Sequence, residues 1–309
     1  MKILITGSNG LLGQKLVYKL RENKKVELIA TARGENRLVK TDGYAYATLD
    51  ITDEKNVQEV FAKFLPDVVI NTAAMTNVDA CETDREGALA LNTHSVAYQV
   101  KALTDLKTKH KNYQPHFIHL STDFIFDGSH GPLDESEKPN PLSYYAETKL
   151  EAEKIVMAST LDWAIARTVL VYGIVDNMSR SNIVLWVKSS LEQGKIINVV
   201  DDQFRTPTLA EDLADGCILI AEKRAKGVYN ISGKDFYSIL DLARTVADYY
   251  ALDKNLIKPS KSADIKQPAK RPPITGFIID KAINDLGYNP HSFVEGIQIL
   301  EEQMKAMQA

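Results

Sequence analysis

The chain has 309 residues, 44% of them hydrophobic, and its mixed charges sum to -4. At roughly 150 residues per domain this predicts about two folding units with sizeable cores, which excludes a disordered chain. With no basic footprint for nucleic acid and no acidic tail for a cationic protein, the expected partner is a small molecule.

Met1-Lys2 and the few apolar residues before Gly7 are too short for a signal h-region. No stretch approaches the roughly 20 apolar residues of a membrane span, so a soluble, cytoplasmic protein without a membrane partner is expected. Lys2 to Thr6 reads as a strand that runs into a glycine turn, and the spacing of Leu11, Leu12, Leu16, Val17 and Leu20 then predicts a helix. Further apolar runs at residues 26–30, 68–71, 117–120, 163–167 and 228–231 read as strands, most of them separated by helix-length segments with an apolar face. Continuous apolar strands alternating with helices predict an α/β protein, a Rossmann-type doubly wound parallel sheet covered on both faces. After about Gly173 the rhythm becomes irregular, and residues 258–273, with Pro259, Pro268, Pro272 and Pro273, read as an extended loop. The expected division is a dinucleotide-binding domain over residues 1–174 and, over 175–309, mainly a smaller C-terminal α/β substrate-binding domain. Later segments, at about 205–230, return to the first domain. Cys81 and Cys217 have neither a C-x-x-C spacing nor companion histidines, so no zinc or other metal site and no disulfide framework is expected.

The first strand leads into Thr6-Gly7-Ser8-Asn9-Gly10-Leu11-Leu12-Gly13, a G-x-x-G-x-x-G variant of the dinucleotide fingerprint. One glycine makes the tight turn, the next lets the backbone approach a pyrophosphate, and the third lets helix and strand pack closely. The phosphates would sit at the positive helix N-terminus. At the end of the second strand an acidic side chain would bond the adenosine ribose, whereas a cation accommodates a 2′-phosphate. That strand ends Ala30-Thr31-Ala32-Arg33, with Arg37 close behind and no acid, which favours NADPH and leaves NADH as the alternative. Asp50 and Ile51 would lie beside the adenine, although Asp50 could as easily cap the helix that follows.

Carbonyl reduction needs a hydride and a proton, and free tyrosine, with a pKa of about 10, is a poor acid at neutral pH. A lysine one helical turn away lowers that pKa, since residues four apart share a face. Tyr-x-x-x-Lys occurs at Tyr145/Lys149 and again at Tyr250/Lys254, so spacing alone does not choose. Tyr145 follows the turn Pro139-Asn140-Pro141 and opens a helix after the strand that delivers Ser121, Thr122 and Asp123, where open α/β sheets place ligands. Tyr250 and Lys254 end a late amphipathic helix and read as structural. Thr122 is therefore expected to bond the substrate carbonyl, Tyr145 to give the proton and Lys149 to hold the phenol's pKa down, against the alternative that Ser121 and Thr122 only cap local backbone.

With the residues Thr6-Gly7-x-x-Gly10-x-x-Gly13, Asn71 to Asp79 with Glu82, Asn92, Ser121-Thr122-Asp123-Phe124-Ile125-Phe126-Asp127-Gly128, Tyr145-x-x-x-Lys149, Arg167, Val171-Tyr172-Gly173, Asp202-Gln203-Phe204-Arg205-Thr206-Pro207-Thr208 and Arg271-Pro272, the chain resembles the dTDP-4-dehydrorhamnose reductase family of extended short-chain dehydrogenase/reductases. The likeness spans nearly the whole chain, and the STDFIFDG and DQFRTPT strings carry it more than the glycines do. It implies a reduced nicotinamide giving hydride to C4 of a 4-keto-6-deoxy sugar on dTDP, in nucleotide-sugar and cell-surface polysaccharide biosynthesis. Thr122, Tyr145 and Lys149 match the catalytic residues, and Lys149 would also bond the nicotinamide ribose. The implied cofactor residues are Gly7, Ser8, Asn9, Gly10, Leu11, Leu12, Gly13, Arg33, Asp50, Ile51, Ala73, Ala74, Thr76, Asn92, Tyr145, Lys149 and Arg167, with Arg167 and Thr168 near the carboxamide. Val78, Asp79, Thr122, Asp123, Phe124, Asn182, Gln203 and Arg271 would meet the sugar nucleotide.

The chain also departs from the family. Some relatives carry an acid two positions after the third glycine for a metal bridge between subunits, and Lys15 stands there, which counts against a magnesium-linked dimer while leaving a homodimer open. Arg205-Thr206 replaces smaller residues of many rhamnose reductases, which could change the sugar accepted. Two other functions compete with reduction. One is a non-catalytic NADP-binding regulatory subunit like that of methionine adenosyltransferase, a branch that keeps the glycines, the Tyr and the Lys. The other is a related nucleotide-sugar epimerase or dehydratase. Dehydratases commonly have Asp-Glu after the threonine, whereas Thr122 is followed by Asp123-Phe124, which counts against dehydration.

Overall fold

A computed structural model describes residues 1–178 and 181–308. Seven strands, β1 (Lys2–Thr6), β2 (Glu27–Ala32), β3 (Ala45–Thr48), β4 (Val68–Asn71), β5 (His116–Thr122), β6 (Asp162–Thr168) and β7 (Gly227–Asn230), form one sheet. Its order is β3-β2-β1-β4-β5-β6-β7 and every pair is parallel. Such a sheet needs both faces covered, and the strands alternate between two cores accordingly. Ile3, Ile5, Val68, Ile70, Ile118 and Ala164 pack on one side with Leu16, Val17 and Leu20 of the helix Leu11–Leu20 and Leu213, Cys217 and Ile220 of the helix Ala210–Lys223. Leu4, Ile29, Val69, Phe117 and Ile165 pack on the other against the helices Glu54–Phe64, Ser95–Lys109 and Tyr144–Met157.

Strand order reverses between β1 and β4, where Thr6 pairs with both Thr31 and Asn71. The chain leaves the two strands in opposite directions there, which opens a crevice at their carboxyl ends. β5 runs two residues beyond the expected run, so Ser121 and Thr122 are strand residues held in register with Arg167 and Thr168 of β6.

A third core, with Tyr172, Val184, Val187, Leu242, Val246, Phe293 and Ile297, joins the helices Ile183–Glu192, Ile239–Tyr249 and Phe293–Gln308. The expectation of a loop over residues 258–273 needs correcting at its start. Ile257–Ser260 is a strand that pairs in parallel with Ile197–Val200, with Pro259 opposite Val199. In this two-stranded pair each strand is an edge, and a proline is tolerated there because one side of the strand needs no N–H donor. Among the described residues no helix is long and apolar enough to cross a membrane.

Candidate active site

The carboxyl ends of the strands open into a cleft of about 770 Å³, with an adjoining hollow of about 300 Å³ that shares Asn9, Gly10, Thr72 and Ala74. The glycine turn forms its floor. Gly7 has φ +71°, and a Cβ there would approach the backbone of Ala73 to 2.9 Å. Gly10 caps the helix Leu11–Leu20 without a side-chain bond, so the cap leaves the first helical N–H groups available to an anion. At Gly13 a Cβ would come within 2.2 Å of the Gly7 carbonyl oxygen. Gly13→Ala is therefore expected to push the helix off β1, costing about 1–3 kcal/mol as overpacking. The loss should appear in thermal unfolding together with weaker dinucleotide binding, and an unchanged melting temperature would contradict the packing role.

Asn9 bridges two loops at one end of the cleft. Its Nδ2 donates to the Glu35 carbonyl at 2.9 Å and its Oδ1 accepts from Arg37 N–H at 3.0 Å, which ties the loop after β2 to the glycine turn. Arg33 borders the smaller hollow and Arg37 the larger cleft. Asp50 borders the hollow with Ile51, Ala73 and Ala74. It does not cap the following helix: Asp53 does, while the Asp50 carboxylate accepts from Thr52.

At the other end Thr122, Tyr145 and Lys149 share one wall. Ser143 caps the helix Tyr144–Met157 by accepting from Ala146 N–H, which places Tyr145 in its first turn with Lys149 one turn on. Glu82 accepts from Tyr144 N–H at 2.7 Å and anchors the same end. The phenol and Thr122 border the same cleft, and the Tyr145 ring meets Phe124 edge-on at 6.2 Å. Burial holds the Tyr145 phenol above its ordinary pKa, and the nearby Thr122 hydroxyl partly opposes this. The helical spacing of Tyr145 and Lys149 predicts that the lysine pulls it down. In the protein alone Lys149 Nζ instead donates to the Leu120 carbonyl at 2.6 Å, and burial lowers the lysine to about 8. A phenol that keeps its proton is the form that can give one to a substrate oxygen. Thr122 accepts from Phe124 N–H at 3.2 Å and donates to Asp123 Oδ1 at 3.1 Å, and it borders the cleft as well. Ser121 Oγ is buried and has no hydrogen-bond partner among the described residues, and the residue borders the cleft.

A family model described as the RmlD substrate binding domain matches residues 1–305. The chain belongs to the RmlD family. It is 30% identical over 97% of its length, and 97% of the relative's, to a probable low-salt glycan biosynthesis reductase, Agl14, of Haloferax volcanii. It is also 29% identical to methionine adenosyltransferase 2 subunit beta of Bos taurus, over 84% of this chain and 75% of that one. Among solved structures it superposes on a dTDP-4-dehydrorhamnose reductase of Clostridium acetobutylicum with a TM-score of 0.84 and 28% identity, covering 99% of this chain and 100% of that one. A dTDP-4-dehydrorhamnose reductase of Bacillus anthracis, solved with NADP, gives a TM-score of 0.81 and 25% identity, with 98% and 99% covered.

In this RmlD-family chain the cleft is bordered by Leu11, Leu12, Thr76, Val78, Asp123, Phe124, Asn182, Gln203 and Arg271 as well as by the residues above. Several expected residues stand elsewhere or face other partners. Ser8 and Gly13 are buried behind the turn. Asn92, in a π-helical turn, lies behind the wall: it bonds Met75 N–H and carbonyl and Thr148 Oγ1, and so holds the Met75 loop to the helix Tyr144–Met157. Arg167 does not border the cleft, because its guanidinium is paired with buried Glu153. Asp79 is also outside the lining: its carboxylate grips Arg271 at 2.7 and 3.2 Å. Asn182 caps the helix Ile183–Glu192 through Oδ1 and donates to the Gly173 carbonyl.

Arg205, in sequence only a departure from the family pattern, also borders the cleft. It donates to the carbonyls of Phe204, Pro272 and Pro273, and stands 3.7 Å from Asp123, so it ties the Arg271 loop to the cleft wall. Burial raises the Asp123 carboxyl, opposed first by Arg205 and then by the 2.5 Å bond from Thr275. The second Tyr-x-x-x-Lys copy is outside the cleft. Tyr250 ends its helix, and Lys254 pairs with Asp248 at 2.6 Å. Lys15 is bonded within the chain to Glu211 at 2.7 Å and to Gln303.

Proposed function

We propose that this protein is an NADPH-dependent reductase of the C4 keto group of a nucleotide-linked 6-deoxy sugar. The carrying observation is the meeting of Thr122, Tyr145 and Lys149 on one wall of a cleft that has the glycine turn at its other end. The cradle suits a dinucleotide: a turn with no Cβ at Gly7 and Gly10, a helix N-terminus uncapped by a side chain, and Arg33 and Arg37 at the adenosine end. A reduced nicotinamide, when bound, supplies the hydride. Gly7, Gly10 and Leu11 would meet its diphosphate, and Ala73, Ala74 and Ile51 its apolar surfaces. Thr122 positions the substrate carbonyl oxygen by donating a hydrogen bond, and Tyr145 delivers the proton to that oxygen from its hydroxyl. Lys149, as an ammonium, stabilises the phenolate left behind. Gln203 and Arg271 face the space the sugar nucleotide would fill, and Arg271 would reach a diphosphate by loosening its hold on Asp79.

The test is to add dTDP-4-keto-6-deoxy-L-lyxo-hexose, made in situ, to purified protein with NADPH or NADH and follow the loss of reduced-nicotinamide absorbance. Turnover with NADPH ahead of NADH is expected. Arg33→Ala with Arg37→Ala should weaken NADPH about 10-fold or more and leave NADH nearly unchanged, since only NADPH has the 2′-phosphate. Dinucleotide binding without turnover would overturn the reductase reading in favour of a regulatory role. Equal loss for both cofactors would overturn the arginine assignment.

A further inference from the structure

Lys149 Nζ has a second neighbour that the chemistry above does not use. His119 Nε2 lies 3.4 Å away, on an imidazole that is fully buried within the sheet. The other ring nitrogen, Nδ1, is 3.1 Å from Asn71 Nδ2. Turning the ring over would replace both nitrogens by carbons, so its orientation follows from its two contacts.

The position of the ring's proton also follows. Gln99 Nε2 lies 3.2 Å from the Ser95 carbonyl oxygen, which can only accept, so the NH2 of Gln99 faces that way. The same NH2 lies 3.3 Å from Asn71 Oδ1, and Thr6 Oγ1 lies 2.6 Å from that oxygen. Asn71 must therefore present its oxygen to Gln99 and Thr6 and its NH2 to His119. His119 Nδ1 accepts, which leaves the proton of the neutral ring on Nε2, facing Lys149. Burial and the nearby lysine both hold His119 well below the ordinary histidine range, in agreement with a neutral ring.

We propose that His119 is a positioning residue that acts through Lys149, its Nε2–H donating to the lysine amine and so setting the pH at which the ammonium is lost. An ammonium would bring N–H against N–H at this contact, whereas the amine accepts from His119 and still donates to Leu120. The other titratable or charged groups around Lys149, among the described residues, are Tyr145 and Glu153 on its own helix, with Asp123 beyond Tyr145. Glu153 favours the ammonium but is already paired with Arg167 of β6. The neighbours from β1, β4 and the helix Ser95–Lys109 are the uncharged Thr6, Asn71 and Gln99. The kinetic part of this inference rests on the reductase reading, and the ring tautomer does not.

Nitrogen-15 NMR of the histidine rings tests the tautomer in the full chain without substrate. The expected result is a His119 with its proton on Nε2 from mildly acid to mildly alkaline pH. Its Nε2 shift should step once as Lys149 titrates, and the step should vanish in Lys149→Met. A proton on Nδ1, or no step, overturns the proposal. In kinetics, His119→Leu should move the alkaline limb of kcat/KM upward by about one pH unit, the size expected for one lost hydrogen bond. His119→Gln, which can accept through Oε1 and donate through Nε2, should stay near the wild-type limb. A slower His119→Leu with an unmoved limb would show a merely structural histidine and overturn the proposal. If the wild type turns over no keto sugar, the reductase reading fails, and the NMR step still decides whether His119 is coupled to Lys149.

Discussion

Tyr145→Phe is expected to lower kcat by about 10²–10⁴-fold while leaving dinucleotide affinity within a few-fold of wild type, because one general acid contributes about that factor. The substitution removes only the hydroxyl. The ring stays in its cluster with Cys81 and Ala88 and edge-on to Phe124, so the wall of the cleft keeps its shape. Burial makes the hydroxyl a proton holder, and Thr122 borders the same cleft. Loss of kcat and kcat/KM in equal measure is the expected signature of an interaction made only in the transition state. Single-turnover kinetics with a parallel titration of cofactor fluorescence would read both quantities. Normal turnover by the phenylalanine variant would remove Tyr145 from the mechanism.

Arg167→Ala is expected to destabilise the fold by about 3–5 kcal/mol, since removing one partner of a buried ion pair leaves the other charged and unpaired. Arg167 Nε and Nη2 donate to the two Glu153 oxygens at 2.9 and 2.7 Å, and both side chains are almost completely buried. The guanidinium also lies 5.3 Å from the Phe126 ring centroid. Denaturant unfolding would measure the loss. Replacing both partners together, Arg167→Met with Glu153→Leu, should recover most of it, because no charge is then stranded. Cofactor affinity of the folded fraction should be unchanged. A cofactor-binding defect without a stability defect would return Arg167 to the role that family resemblance implied.

The parts of this protein written in local order could be read directly. A strand, a glycine turn and a helix follow one another within Lys2–Leu20, so apolar spacing and glycine placement suffice to predict them. The parallel sheet was legible for a related reason, since a strand buried on both faces is a continuous apolar run. Tyr145 and Lys149 share a helix face by spacing alone, and the strand before them showed which of the two Tyr-x-x-x-Lys copies opens on the cleft. The strand at Ile257–Ser260 was not legible, because Pro259 and the prolines after it carry a loop signal, and only the pairing with Ile197–Val200 overrides it.

Neighbouring residues encode the fold class and the side chains at the ends of β1 and β5, so both can be read along the chain. Which polar side chains remain free to meet a ligand depends on contacts between distant segments. Asp79 and Arg271 are 192 positions apart and meet each other. Arg167 turns to Glu153, and Lys149 meets a histidine whose proton is placed by Asn71, Gln99 and Thr6 from three other elements. A buried polar group must find a partner wherever the folded chain brings one, and that choice is made across the fold rather than along the sequence.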